Sequence, residues 1–135
     1  MARICIPNSE YKERVQKAAA ILRREGLDAL IVNGNEADYA NPRYFSGFWP
    51  LFERSGVAIS AAGEAALMVG PESAIFGADR NKLDKIYVLL AYREGADPAY
   101  PELKPDTFHD VFKGIGVTGK KIRIGVASFL DKKLI

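Results

Sequence analysis

The apolar run Asp28–Val32 constrains the fold of this chain more than any other stretch. It follows a helical pattern almost at once, and the polar and glycine residues 33–35 stop it. A short continuous apolar run of this kind is typical of a strand that is covered on both faces. We therefore expect a sheet with helices packed on each side.

A helical pattern precedes this strand. Asn8 or Ser9 is predicted to cap a helix that ends at Gly26, where glycine can adopt the left-handed conformation. The apolar face of this helix comprises Tyr11, Val15, Ala18 and Leu22.

Strand and helix patterns alternate in the rest of the chain. Residues 56–60 and 65–69 predict a β-hairpin, Pro71 begins a helix through about residue 79, and Ile86–Leu90 predicts another strand. Prolines and a glycine in residues 91–105 predict an irregular surface segment.

The last part of the sequence predicts a helix, a strand and the beginning of another helix. Asp106 or Thr107 caps a short helix, Lys121–Val126 is a strand, and Ser128–Ile135 resembles the first turns of a helix that is cut rather than finished. The apolar face of the short helix comprises Phe108, Val111, Phe112 and Ile115. We predict an α/β fold with three layers, in which helices flank a mixed β-sheet of about five to six strands.

Composition excludes several classes of protein. A length of 135 residues suits one domain, and a formal charge of +2 with no dense basic run predicts no nucleic-acid partner. No apolar run approaches the roughly 20 residues that span a bilayer. The single cysteine, Cys5, cannot form an internal disulfide, and the N-terminal sequence lacks the pattern of a secretory signal peptide. We therefore expect a cytoplasmic protein.

The aromatic stretch Asn41–Arg54 fits no regular element by pattern. Pro42 and Pro50 lack amide donors and disfavour one long helix or a central strand, so we expect a rigid aromatic turn. Gly47 would permit a backbone conformation that other residues resist. The aromatic side chains predicted to form core beneath this turn are Tyr44, Phe45 and Phe48, with Trp49 beside them.

No complete active site emerges from the remaining motifs. Residues 114–121 match a dinucleotide-binding glycine pattern, but a predicted helix precedes them and a strand follows, the reverse of what phosphate binding requires. His109 is the only histidine and has no second ligand at metal spacing. Cys5 lacks a histidine nearby, and Glu36 and Asp38 have the pattern of a solvated turn. Catalytic and metal-binding residues are therefore predicted to be absent from this chain.

Two motifs resemble the N-terminal domain of the creatinase and Xaa-Pro peptidase family, which includes prolidase and aminopeptidase P. Residues 25–32, EGLDALIV, are similar to the family phrase G-L-D-A-L-L-V, and residues 41–48, NPRYFSGF, to N-x-R-Y-L-T-G-F. The hairpin, the helix start at Gly70-Pro71-Glu72 and the strand Lys121–Val126 fall in the family's order, so the resemblance covers nearly the whole chain.

The resemblance implies a mixed α/β domain, here residues 1–135, that precedes a catalytic domain of the pita-bread type absent from this chain. The parent would be a metallopeptidase-type hydrolase that binds two divalent ions, such as manganese, in that second domain, while this chain alone binds no cofactor and is not an enzyme. The family commonly forms homodimers in which the N-terminal domain of one subunit closes over the active site of the other.

Residues Phe52 to Arg54 also look similar to the F-x-R segment with which creatinases hold the substrate carboxylate of the neighbouring subunit. The planar guanidinium of Arg54 suits bidentate carboxylate binding, and Phe52 would supply an apolar wall. The alternative is that Arg54 is a solvated surface residue. A small-molecule or peptide substrate at a dimer site is the implied partner, with no membrane.

The leading hypothesis is therefore a non-catalytic accessory and dimerisation domain of a creatinase or Xaa-Pro peptidase-like hydrolase. A free-standing module that binds a small ligand or a partner through the aromatic turn is the alternative.

Overall fold

A mixed β-sheet of five strands forms the centre of the structure, a computed structural model that describes residues 4–95 and 104–127. The strands are β1 (Ala29–Gly34), β2 (Ser55–Ser60), β3 (Ala65–Val69), β4 (Ile86–Val88) and β5 (Ile124–Ala127). Their order is β4-β3-β2-β1-β5, with β1–β2 and β2–β3 antiparallel and β3–β4 and β1–β5 parallel. The predicted α/β class, the mixed sheet and the hairpin are confirmed.

Helices pack on both faces of this sheet. They are α1 (Asn8–Glu25), α2 (Ala40–Ser46), α3 (Ala74–Arg80) and α4 (Phe108–Gly114), with 3₁₀ turns at Pro71–Ser73 and Leu90–Tyr92. Among the described residues, no helix is long and apolar enough to cross a bilayer.

The apolar run in β1 explains the layers. Ile31 and its partner Ala58 face the cluster that contains the buried side chains of α4, whereas Val32 and its partner Val57 face the cluster that contains Val15 of α1. All four side chains are nearly or fully buried. Because successive side chains of a strand alternate between faces, a continuous apolar run within a strand needs cover on both faces.

Helix α1 begins and ends almost where the sequence predicts, but its cap differs. Pro7 occupies the N-cap position in an extended conformation, and neither Asn8 nor Ser9 caps the helix. The helix starts one residue earlier than a cap at Asn8 would place it, because the proline ring already fixes the extended backbone ahead of the first turn. The predicted end at Gly26 is confirmed by its φ of 65°.

The aromatic stretch contains a short helix, α2, where a turn without regular structure was expected. Pro42 is the third residue of α2, in the first turn, where an amide has no intrahelical acceptor and its loss costs little. Gly47 ends α2 with a φ of 74°, as predicted. Phe48 is fully buried and Phe45 half-buried, but the prediction of a core Tyr44 is wrong, since its side chain is exposed.

The second half of the chain shows further differences from the expectation. Strand β4 ends at Val88, two residues before the predicted Leu90, and Tyr92, expected in an irregular surface segment, is fully buried. Thr107 caps α4 as predicted, in a capping box with Asp110. The helix predicted at residues 128–135 and most of the irregular segment lie outside the described residues.

Candidate functional site

The residues singled out for function lie at one end of the sheet. Gly34 at the end of β1 pairs with Ser55 at the start of β2, and Ser55 pairs with Val69 at the end of β3. The segment that leads into β2, residues 50–54, therefore meets the chain that leaves β1 and β3. We call residues 50–54 the Arg54 segment.

Aromatic packing fixes the start of the Arg54 segment. Phe48, directly after Gly47, packs edge-on against Phe76 of α3 with ring centroids 5.6 Å apart. Trp49 contacts the same ring at 6.2 Å. Two rings on one residue of α3 hold the chain as it turns from α2 toward β2.

Side chains alternate in direction along the Arg54 segment. Phe52 is 46% exposed and Arg54 is exposed, whereas Glu53 between them is fully buried. The two residues that resemble the F-x-R pattern thus lie on the surface side, separated by an inward carboxylate.

Glu53 is buried against the start of a 3₁₀ turn. Its Oε2 accepts a hydrogen bond of 2.8 Å from the amide of Ser73, and its Oε1 accepts one of 3.2 Å from the amide of Glu72. Gly70 provides the space, since a Cβ there would collide with the Glu53 carboxylate. Amides at the start of a helical turn have no partner in the helix, and a carboxylate satisfies them.

The environment of Glu53 favours its protonated form. Burial and a hydrogen bond with the side chain of Glu72 raise the pKa of Glu53 to about 7, although hydrogen bonds with the side chain of Ser73 and the backbone of Glu72 act in the opposite direction. The carboxylate of Glu72 in turn accepts hydrogen bonds from the amides of Glu94 and Gly95, at 3.2 and 3.0 Å. A chain of polar contacts therefore links the Arg54 segment to residues 94–95.

A buried polar pair lies beside this chain. The hydroxyl of Tyr92 donates a hydrogen bond to Oδ1 of Asn33, and Gly56 allows their close approach, since a Cβ there would lie 2.6 Å from Asn33 Oδ1. Burial raises the pKa of Tyr92, and the positive charge of Arg54 acts in the opposite direction. The guanidinium of Arg54 is thus near enough to interact electrostatically with this pair.

Two polar atoms at this end of the sheet have no hydrogen-bond partner among the described residues. They are Nδ2 of Asn33 and Oγ of Ser55, both buried. A buried polar group without a hydrogen-bond partner costs free energy in a folded protein.

The other candidates from the sequence do not join this site. His109 is exposed on α4, Cys5 is exposed near the amino terminus, and Glu36 lies in a turn stabilised by the Asn35 side chain, which accepts hydrogen bonds from two amides. The glycine motif begins at Gly114, the last residue of α4, and ends before β5, so a helix precedes it and a strand follows, as predicted. Within residues 4–95 and 104–127, no group of three or more His, Cys, Asp or Glu side chains could hold a metal ion.

Sequence reasoning did not identify Glu53, Tyr92 or Asn33 as parts of the site. No alternation singles out Glu53, since all six positions of β2, Ser55–Ser60, are buried and either phase would fit. The contact of Tyr92 with Asn33 joins residues 59 positions apart, and no local pattern reports it.

Comparison with known protein families identifies one match over most of the chain. Residues 14–134 match the sequence model of the Creatinase/Prolidase N-terminal domain. The resemblance found in residues 25–32 and 41–48 is therefore confirmed. No match was found among functionally curated proteins.

Two solved structures with TM-scores above 0.5 share the fold at low sequence identity. Prolidase from Pyrococcus horikoshii matches with a TM-score of 0.58 and 17% identity, over 90% of this chain and 27% of that one. An Xaa-Pro aminopeptidase from Streptococcus pyogenes matches with a TM-score of 0.52 and 12% identity, over 89% of this chain and 93% of that one. The N-terminal domain of cytoplasmic peptidase PepQ from Mycobacterium tuberculosis is 24% identical over 59% of this chain and 58% of that one, with a TM-score of 0.49. This chain thus spans little more than half of that PepQ domain and about a quarter of the prolidase.

Stability should fall as the pH rises through 7, because the pKa of Glu53 is about 7 in the folded chain against an ordinary value of 4.5. The folded chain binds this proton more tightly, so the stabilisation is fully present below about pH 4.5 and is lost as the pH passes about 7. Urea denaturation should show the free energy of unfolding dropping by roughly 2 kcal/mol between about pH 5 and pH 8. Glu53→Gln keeps an accepting oxygen but does not titrate, and should flatten the profile. Equal slopes in both proteins would contradict this assignment.

Gly70→Ala should destabilise the fold by about 1 to 3 kcal/mol, because the added methyl group displaces the carboxylate of Glu53 from its amide partners. Gly95→Ala is the matched control, since its Cβ would meet only Glu72 Oε1 at an ordinary 3.5 Å. Chemical denaturation of both variants measures the difference. When Glu53 is also replaced by alanine, Gly70→Ala should cause little further loss in the free energy of unfolding. A loss of the same size in the double variant would refute a steric clash between residue 70 and Glu53.

Proposed function

Because the chain belongs to the Creatinase/Prolidase N-terminal domain family, we propose that it is a non-catalytic accessory and dimerisation domain of a creatinase or Xaa-Pro peptidase-like hydrolase. Its partners are a C-terminal catalytic domain, which carries any divalent metal ions such as manganese, and a second copy of the same protein. The cytoplasm is the expected location.

The outward projection of Phe52 and Arg54 around the buried Glu53 is the observation that carries this proposal. Glu53 fixes the backbone between Phe52 and Arg54 by accepting two amide hydrogen bonds. The backbone of Arg54 is therefore ordered before any substrate binds. An ordered arginine loses less entropy when it binds a carboxylate, and its planar fork can donate two parallel hydrogen bonds.

Placed over the active site of a neighbouring subunit, Arg54 would hold a substrate carboxylate and Phe52 would cover the apolar part of the substrate. Neither residue would exchange a proton or form a bond in the reaction. The role of this domain is to bind and orient the substrate, while the chemistry takes place in the catalytic domain.

The isolated chain of 135 residues should not hydrolyse Xaa-Pro dipeptides or creatine, with or without added manganese. The described residues offer no group of side chains that could hold a metal ion. Amine or urea release by the purified chain measures this directly. Robust metal-dependent turnover would overturn the accessory role.

Arg54→Ala in the full-length protein should raise KM and lower kcat/KM by the equivalent of roughly 2 to 3 kcal/mol, because a charged hydrogen bond to the substrate is lost. Arg54→Lys should recover part of the lost kcat/KM, because the lysine ammonium keeps the positive charge but cannot form the bidentate contact. Arg24→Ala, which removes an exposed arginine on α1, is the control and should leave KM unchanged. Unchanged kinetics in Arg54→Ala would assign Arg54 to the solvated surface.

Mixed subunits separate action across a dimer from action within one subunit. An Arg54→Ala subunit is combined with a subunit whose catalytic domain lacks a metal ligand, and activity is measured at a substrate concentration well below KM, where the first homodimer is strongly impaired and the second is inactive. If Arg54 acts on the neighbouring subunit, each heterodimer contains one complete site, and random mixing should restore about a quarter of the wild-type activity. No recovery, with heterodimers verified by mass spectrometry, would place Arg54 in its own subunit's site or outside both.

A further inference from the structure

A cleft of about 620 Å³ between α1, α2 and the end of α3 concentrates positive charge on a chain whose formal charge is only +2. Its lining includes two kinds of side chain, the cations Arg14, Arg43, Arg80 and Lys82 and the aromatic residues Tyr11, Tyr44 and Trp49. None of the described residues that line the cleft is acidic. We call it the basic cleft.

Arg14 is a structural part of the basic cleft. Its guanidinium lies 4.4 Å from the ring centroid of Tyr44 and 5.1 Å from that of Tyr11, and it donates a 2.7 Å hydrogen bond to the Tyr44 carbonyl. It also forms an ion pair with Glu10, so its charge is compensated. These contacts hold α1 against α2 and fix the exposed ring of Tyr44 at the edge of the cleft.

Arg43 and Lys82 differ from Arg14, because neither forms an ion pair with a carboxylate in the described part of the chain. The guanidinium of Arg43 lies 5.0 Å from the ring centroid of Trp49, which restrains it without neutralising it. The stem of Lys82 packs against Gly47. Within the described part of the chain, the ion pair of Arg80 is with its exposed neighbour Asp79, an interaction that contributes little.

We propose that the basic cleft binds an acidic peptide segment of a partner protein. Carboxylates of the segment pair with Arg43 and Lys82, and its apolar side chains pack on Trp49 and Tyr44. Arginine, tyrosine and tryptophan together are the side chains that contribute most to protein–protein contacts. Oppositely charged groups select an acidic partner and accelerate its association. This site is separate from the substrate role proposed for Arg54.

The shape of the cleft favours a peptide over a small anion or a nucleic acid. A phosphate ion would occupy a small part of 620 Å³ and leave the aromatic rings uncovered. The side chain of Ile6, which lines the cleft, is 45% exposed and adds to the apolar surface available to a peptide. A nucleic acid requires a longer basic stripe that follows its backbone, and the two cations without ion pairs do not form one.

The decisive measurement uses two peptides that differ only in charge. The acidic probe is acetyl-Glu-Glu-Leu-Glu-Glu-amide, and the neutral one has glutamine in place of each glutamate. Trp49 is the only tryptophan in the sequence and lines the cleft, so its fluorescence reports binding to the 135-residue chain directly. Isothermal titration calorimetry repeats each titration, because removal of Arg43 alters the surroundings of Trp49 by itself.

We expect saturable binding of the acidic peptide, weakened by added salt as exposed charge pairs are. Arg43→Ala combined with Lys82→Ala should raise its Kd about 10-fold or more, since two charge-assisted contacts are lost. Arg24→Ala combined with Lys120→Ala removes the same charges from exposed positions elsewhere, and should change Kd less than about 2-fold.

Four results would overturn the proposal. Equal binding of the neutral peptide, or no binding of either peptide to the unaltered chain, would exclude recognition of carboxylates, and this comparison needs no variant to fold. An equal loss of affinity in the Arg24→Ala and Lys120→Ala control would show that the loss follows from the lower net charge of the chain and not from contacts in the cleft. Tighter binding of a single-stranded oligonucleotide than of the acidic peptide would assign the cleft to nucleic acid.

Discussion

The buried carboxylate of Glu53 is the interaction on which the candidate site depends. A carboxylate taken out of water is costly unless hydrogen bonds or a proton compensate it, and here both do. The amides of Glu72 and Ser73 bind its oxygens, and contact with the Glu72 side chain helps to hold the pKa near 7. The entry to β2 is thereby joined to the turn that precedes α3. With Glu53 directed inward, Phe52 and Arg54 necessarily face outward.

The two-sided sheet supplies the frame for this arrangement. Strands β1 and β2 are flanked by other strands on both edges and by helices on both faces, so their backbone positions are tightly determined. Both proposed surfaces lie outside these two strands, one at the end of the sheet and one between α1, α2 and α3. This division between a rigid scaffold and functional connections is general in α/β domains.

The two proposed surfaces differ in the chemistry that they offer. The Arg54 segment presents one arginine beside an exposed phenylalanine, which suits a small substrate with a carboxylate. The basic cleft presents several cations among aromatic rings in a larger volume, which suits a peptide. Trp49 connects them, since it packs on Phe76 at the start of the Arg54 segment and also lines the cleft. A single aromatic stretch therefore contributes to both surfaces.

Local sequence signals gave the elements whose causes are local. The end of α1 at Gly26, the hairpin of β2 and β3, and the Thr107 cap of α4 follow from glycine conformation, alternation and capping chemistry within a few residues. The family could also be identified from two short motifs, because these encode the helix-to-strand junction and the aromatic stretch. The short helix α2 was missed, since proline weighs against a helix except in the first turn, and a pattern does not show where a short helix begins.

The sequence by itself determined a three-layer α/β fold, because the periodicity of apolar residues indicates which faces are buried, and it determined the family through the two motifs at residues 25–32 and 41–48. Only the tertiary structure decided the order of the strands, the burial of Tyr92 and Glu53, and the grouping of Arg43 with Lys82 around one cleft. Each of these joins residues that are distant in the chain, such as Tyr92 with Asn33 and Glu53 with Ser73. The free energy of such contacts depends on packing and on exclusion of water, and neither is a property of a local stretch of sequence.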